Sequence, residues 1–217
     1  MKQGNFVYML IGLLVFLLLA PAITQYFPTG STIIIQLAFM SVMVIGVWSF
    51  EGDTKWFIAG ISLAILGVIL SITNFFFESR VIFLTSLANI LAFCVLSAVD
   101  AMKQILFSGR ITTNKLIGSV CIYLLLGLIW GLIYIFIAEV SPDAFKGLTL
   151  SSDLSSTWEY IYYSFVTLTT LGYGDISPVN AYARVLAYLE AIAGQLYIAI
   201  LVASLVGAHI VDQQNNK

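Results

Sequence analysis

Six stretches of this chain run far enough without a break in apolar character to cross a lipid bilayer, and that repetition limits its folds more than anything else in the sequence. A transmembrane helix needs about 20 mostly apolar residues. The runs fall at 6–23, 32–50, 56–73, 81–98, 116–138 and 183–211. Between them lie the residues expected of turns and interfaces: Pro21, Pro28 and Gly30 in the first gap, Glu51-Gly52-Asp53 in the second, Glu78 and Arg80 in the third. Hydrophobic residues make up 60% of the chain and charged ones 9%, against roughly a quarter charged in a soluble domain. Lipid is therefore the solvent for most of this protein, and the expected fold is an all-α membrane protein with six transmembrane helices. A formal net charge of −2 gives no bulk attraction to nucleic acid. Cys94 and Cys121 sit inside apolar runs and make no disulfide framework.

Basic residues give the orientation. With six spans and both termini cytoplasmic, Lys2, Lys55, Lys103, Arg110, Lys115 and Lys217 fall inside, while Arg80, Lys146 and Arg184 fall outside. The first run, with Lys2 ahead of it and Leu19-Ala20-Pro21-Ala22 at its end, has the outline of a signal peptide. Pro21 is awkward at the would-be cleavage site, and the orientation is the same with or without cleavage.

The segment 139–182, on the outer side between the last two spans, differs in character. It is richer in Ser, Thr, Asp and Tyr, yet contains a short apolar helix candidate at 156–169. Ser156 followed by Glu159 reads as a capping box that satisfies free N–H groups at a helix start. A helix this short reaches only part way through lipid, which is allowed where protein or a water-filled cavity surrounds it. Directly after it comes Thr167-Leu168-Thr169-Thr170-Leu171-Gly172-Tyr173-Gly174-Asp175. A channel can replace the water around a potassium ion with rings of backbone carbonyl oxygens from several copies of one strand. Aiming successive carbonyls to one side needs alternating backbone angles, which glycine reaches without steric cost. Gly172 and Gly174 stand where such angles are needed, and the Thr170 hydroxyl can add one more oxygen ring.

This stretch resembles the Thr-x-x-Thr-x-Gly-Tyr-Gly-Asp signature of the potassium channel family at every fixed position, and the likeness extends from roughly residue 111 to the end. The resemblance implies a homotetramer in the lipid bilayer that conducts K+ passively through a selectivity filter on the axis. Carbonyls of Thr170, Leu171, Gly172 and Tyr173 would form the ion sites, with Gly174 completing the strand and the Thr170 hydroxyl facing the cavity. Trp158, Tyr162 and Tyr163 would belong to an aromatic cuff around the filter, with Asp175 at its outer end. Val166 stands where certain bacterial channels carry a glutamate that braces the filter, so that brace is not expected here.

In the last span, Gly194 is either an inner-helix hinge, as is frequent in the family, or a site of close packing between helices. Gln195, Ile198, Val202, Val206 and Ile210 fall near one face by their spacing. In a tetramer that face would line the cavity, with Val206 or Ile210 as an apolar constriction. Glu190 is a carboxylate inside a span, which normally has a partner or a wet cavity. It either meets a tyrosine or pore-helix hydroxyl behind the filter or takes part in gating or proton sensing. His209 is either a pH sensor or an amphipathic interface residue.

Voltage sensing needs a helix with basic residues at every third position. The fourth run begins Arg80-Val81-Ile82-Phe83-Leu84-Thr85-Ser86-Leu87 and then carries no further arginine, so steep voltage dependence is not expected. The expected organisation is a charge-poor four-helix unit at 1–99, a partly amphipathic interfacial linker at 100–115, a pore domain at 116–211 and a short tail at 212–217. Thr112 or Thr113 should cap the fifth span. The tail is too short for a ligand-binding domain. No nucleophile–base pair, metal-ligand spacing or phosphate loop points to an enzyme. A transporter with repeated pore loops needs four in one chain, whereas a non-conducting regulatory subunit that kept the pore fold stays an alternative. Nucleic acid is not an expected partner, auxiliary subunits are left open, and the compact size points to a bacterial inner membrane.

Overall fold

The computed structural model describes residues 6–26, 54–77, 79–106, 112–148 and 155–215. Its helices are α1 (Phe6–Tyr26), α2 (Thr54–Phe76), α3 (Arg80–Leu106), α4 (Thr113–Val140), α5 (Ser155–Leu168) and α6 (Ala181–Asn215). Among the described residues, α2, α3, α4 and α6 are long and apolar enough to cross a membrane, and α1 contributes a shorter apolar run, Phe6–Ala22. Five of the expected spans thus appear as helices, and the run 32–50 lies outside the described residues.

Helix α4 is the hub, touched by α1, α3, α5 and α6. Its start is fixed by Thr112, in an extended conformation (φ −114°, ψ 158°), whose hydroxyl accepts from the Lys115 N–H at 3.4 Å. Along α1 the buried residues are Phe6, Met9, Leu13, Phe16 and Ala20, spaced by three and four so that they share one face. That stripe packs on Cys121, Ile122, Leu125, Leu128 and Leu132 of α4 and on Trp158 and Ile161 of α5. The Phe6 N–H donates to Asn114 Oδ1 at 3.1 Å and anchors one end of the contact. The first helix therefore rests on α4 and α5, although the sequence grouped it with the helices that follow it.

Helices α2 and α3 pair through Phe93 and its apolar neighbours Trp56, Ile61 and Leu63. Asn89 Nδ2 donates to the Leu63 carbonyl at 3.1 Å, and Lys103 Nζ sits 3.7 Å over the Trp56 ring. At the opposite end, the Arg80 guanidinium meets the Glu139 carbonyl and lies 3.7 Å from its carboxylate. The lone arginine of α3 thus clamps α3 to α4. Helix α3 continues without a break to Leu106, so the boundary expected at residue 100 falls inside it; residues 107–111 lie outside the described set.

After α4, a 3₁₀ turn (Pro142–Ala144) leads into β1 (Phe145–Lys146), which pairs antiparallel with β2 (Ser177–Pro178) in the register Phe145↔Pro178 and Lys146↔Ser177. This two-residue ladder ties the strand leaving α4 to the strand entering α6. Helix α5 lies in the chain between them.

Candidate functional site

The half-helix α5 has 14 residues, about 21 Å at the usual rise, which is shorter than a hydrocarbon core of about 30 Å. It starts at Ser155, and the side chain of Ser156, assigned to a capping pair with Glu159, lies outside the described residues. Its last turn tightens into the following strand. The Val166 carbonyl accepts from the N–H groups of both Leu171 and Gly172, at 2.9 and 3.2 Å, and the Thr170 N–H donates to the Thr167 carbonyl at 2.9 Å.

From there the backbone alternates. Positive φ occurs at Thr170 (58°), Gly172 (58°) and Gly174 (80°), with Leu171 and Tyr173 between them on the ordinary side. This is the alternation that a row of same-side carbonyls requires. The glycine positions follow from the sequence, but Thr170 does not. A β-branched residue with positive φ is a strained outlier and persists only where its surroundings over-determine it.

At the outer end, Asp175 Oδ2 accepts from the Tyr162 hydroxyl at 2.7 Å and Oδ1 from the Ile176 N–H at 3.0 Å. The Tyr162 hydrogen bond holds the Asp175 carboxyl below its ordinary pKa of 3.8. Gly147 (φ 89°) presses against the same residue: a Cβ there would overlap the Asp175 carbonyl oxygen. Asn180 caps α6 by accepting from the Ala183 N–H at 2.7 Å, and its amide reaches Ser141 Oγ at 3.3 Å.

Behind the loop lies Glu190, with no exposed surface. Its Oε2 accepts from the Tyr134 hydroxyl of α4 at 2.6 Å, and its Oε1 lies 2.5 Å from Ser164 Oγ of α5. Ser164 Oγ also sits 2.7 Å from the Gly127 carbonyl. A hydroxyl has one proton, so Ser164 donates to one of these two acceptors, and both short contacts close when the carboxyl supplies a proton of its own. One residue of α6 therefore joins α4 and α5. Tyr163 extends this cluster through ring contacts with Tyr134 (5.0 Å) and Phe145 (5.5 Å), and Val166 is buried. Trp158 has its ring contact with Phe16 of α1, at 5.4 Å. Of the three aromatic residues grouped from the sequence, Tyr162 is the one hydrogen-bonded to Asp175.

At the inner end, α6 passes Gly194 without interruption, and a Cβ on Gly194 would overlap the Leu168 carbonyl oxygen. Close approach to the end of α5 is what this glycine permits. The neighbouring Gln195 donates from Nε2 to Thr170 Oγ1 at 3.0 Å. Tyr123 of α4 also donates to the Leu168 carbonyl, at 3.4 Å. Ile198, Val202 and Val206 are exposed in the single chain. The side chains of His209 and Ile210 lie outside the described residues, and helix α6 itself runs on through Asn215.

Reading the sequence did not single out Tyr134, Ser164 or Gly147. Tyr134 and Ser164 carried a usable signal as hydroxyls inside apolar helices that must find partners, with Glu190 as an acceptor in need of donors. Gly147 carried none, since its partner is a backbone carbonyl 28 positions away in sequence (175 − 147).

Residues 121–209 match a family model described as ion channel. The human potassium voltage-gated channel subfamily A member 7 is 30% identical over 103 residues, 48% of this chain and 21% of that protein. Subfamily A member 5 of mouse is likewise 30% identical over 103 residues, 48% of this chain and 16% of its own length. The chain spans about a fifth or less of the curated relatives it matches.

Proposed function

Taking residues 121–209 as an ion channel domain of the potassium channel family, in a multi-pass membrane protein, we propose that the chain is one subunit of a homotetrameric, potassium-selective channel. The observation that carries this reading is the alternation of positive φ at Thr170, Gly172 and Gly174. Such a strand presents oxygen ligands from one side only, and dehydrating a cation takes a ring of them, hence several copies around an axis. The exposure of the filter side chains Leu171 (55%) and Tyr173 (67%) supports the same assembly, because apolar groups of this size find cover in neighbouring subunits.

Carbonyls of Thr170, Leu171, Gly172 and Tyr173 bind the ion in turn, and Gly174 ends the row. Tyr162 and Asp175 hold its outer end. Glu190, Tyr134 and Ser164 hold its back. The cavity below is lined by Gln195, Ile198, Val202 and Val206, with Val206 or Ile210 as the apolar constriction that closes by dewetting. The distribution of basic residues supports a cytoplasmic location for both termini. Arg80, spent on Glu139, gives α3 no ladder of gating charges, so opening is not steeply voltage-dependent.

Potassium efflux from proteoliposomes made with the purified full chain tests this directly. The wild type should release potassium in a barium-sensitive manner and retain sodium. Gly174→Ala, which forces a side chain onto φ 80°, should abolish release while the tetramer persists in detergent. Equal release of both ions by the wild type would refute selectivity.

A further inference from the structure

The inner end of the filter has a tie that the filter motif does not contain. Thr170 holds a left-handed backbone (φ 58°) that its branched side chain disfavours. Two hydrogen bonds meet on it: its N–H donates to the Thr167 carbonyl at 2.9 Å, and its hydroxyl accepts from Gln195 Nε2 at 3.0 Å. The second is possible because Gly194, the preceding residue, lets α6 come into contact with the Leu168 carbonyl at the end of α5. A side chain on residue 194 would push Gln195 out of reach.

A threonine hydroxyl offers one proton and two lone pairs. Left alone, it turns between rotamers and presents either to an ion. With the Gln195 amide on one lone pair, the proton is kept from that side, and the proton and the remaining lone pair share the two directions left to the oxygen. We propose that Gln195 is a positioning residue for the innermost ion site, whose amide orients the Thr170 hydroxyl and so sets how tightly that site holds a cation. This rests on reading residues 170–174 as an ion filter. In a tetramer the amides form a ring directly beneath the filter, and their influence is greatest on a cation of potassium's size with twice its charge.

The test is barium block, applied from the cavity side of full-length channels in planar bilayers, with the reversal potential recorded from the same membranes. Gln195→Leu removes the donor, and loss of one neutral hydrogen bond should weaken block by about fivefold. Gln195→Met, unbranched and of similar length, serves the same comparison if the leucine variant assembles poorly. A second comparison separates orientation of the hydroxyl from general packing. In a Thr170→Val background, where the hydroxyl is gone, Gln195→Leu should have no further effect on block. Unchanged block in both Gln195 variants would overturn the inference. So would an equal fold-change with and without the Thr170 hydroxyl. In either case a reversal potential at the potassium limit would leave the channel reading intact, whereas a wild-type reversal potential near zero would strike that reading itself.

Discussion

The two halves of this molecule are held together in different ways. Around residues 170–174, α4, α5 and α6 are joined by polar contacts: the buried ones of Tyr134 and Ser164 to Glu190 and Ser164 to Gly127, the half-buried Tyr123 to Leu168, and the exposed Gln195 to Thr170. In α2 and α3, the contacts are mostly apolar, with Asn89 to Leu63, Lys103 over Trp56 and Arg80 on Glu139 as isolated polar ties. Lipid is as apolar as leucine, so burying leucine between membrane helices gives no hydrophobic gain. Directional polar contacts and close backbone approach are what specify geometry there. Among the described residues, such ties are concentrated where α4, α5 and α6 meet residues 170–174.

Substitution at Glu190 should break this contrast most severely. Glu190→Leu leaves the Tyr134 hydroxyl without its acceptor and Ser164 with the Gly127 carbonyl alone, and a buried polar group left unpaired costs about 1–3 kcal/mol. We expect the thermal midpoint of the detergent-solubilised tetramer to fall by far more than for any single substitution in α2 or α3. Glu190→Gln, which keeps an acceptor and adds a donor, should lose much less. Equal losses for the two variants would mean that volume, not hydrogen bonding, is what matters at this position. Next comes Gly194→Ala. Its methyl group would overlap the Leu168 carbonyl, and overpacking of this kind costs about 1–3 kcal/mol. Lower stability together with reduced conductance is expected. Higher open probability with unchanged stability would instead favour a hinge at Gly194.

Tyr162→Phe should have a smaller effect, confined to the outer mouth. The Tyr162 hydrogen bond depresses the Asp175 pKa. Its contribution is therefore fully present above the ordinary carboxylate pKa and is lost as pH falls through the depressed value. Removing the hydroxyl should move the acid-induced loss of current upward in pH, toward the ordinary carboxylate range, and speed the decay of current during long openings. An unchanged acid profile would show that Asp175 is held by other groups. The smallest effect belongs to Arg80→Gln. An exposed ion pair contributes about 0–1 kcal/mol, so stability should barely change and current–voltage curves should keep their shape. A large shift in voltage dependence would make Arg80 a gating charge and overturn its role as a clamp.

The same contrast governs how much could be read in the sequence. The unusual backbone at residues 172 and 174 was legible because positive φ favours glycine, and the spans were legible because apolar runs of that length have few uses. Glu190 was legible as an anomaly, though its partners were not, since they come from two other helices. Helix α1 is apolar on every side, so nothing in its pattern shows that the stripe Phe6, Met9, Leu13, Phe16 and Ala20 faces α4 and α5. Thr170 looks like a hydroxyl ligand, but its positive φ goes with its own N–H on the Thr167 carbonyl, the Leu171 and Gly172 N–H groups on the Val166 carbonyl, and Gln195 on its hydroxyl, none of which a local pattern encodes. Charge placement gave Arg80 as a lone residue at an outer end, and only packing showed Glu139 opposite it.

The most direct measurement is the reversal potential of the purified full chain in a planar bilayer, with potassium on one side and sodium on the other. The expected value lies close to the potassium limit, with currents blocked by barium. A value near zero in a conducting tetramer would contradict a potassium-selective filter at residues 170–174.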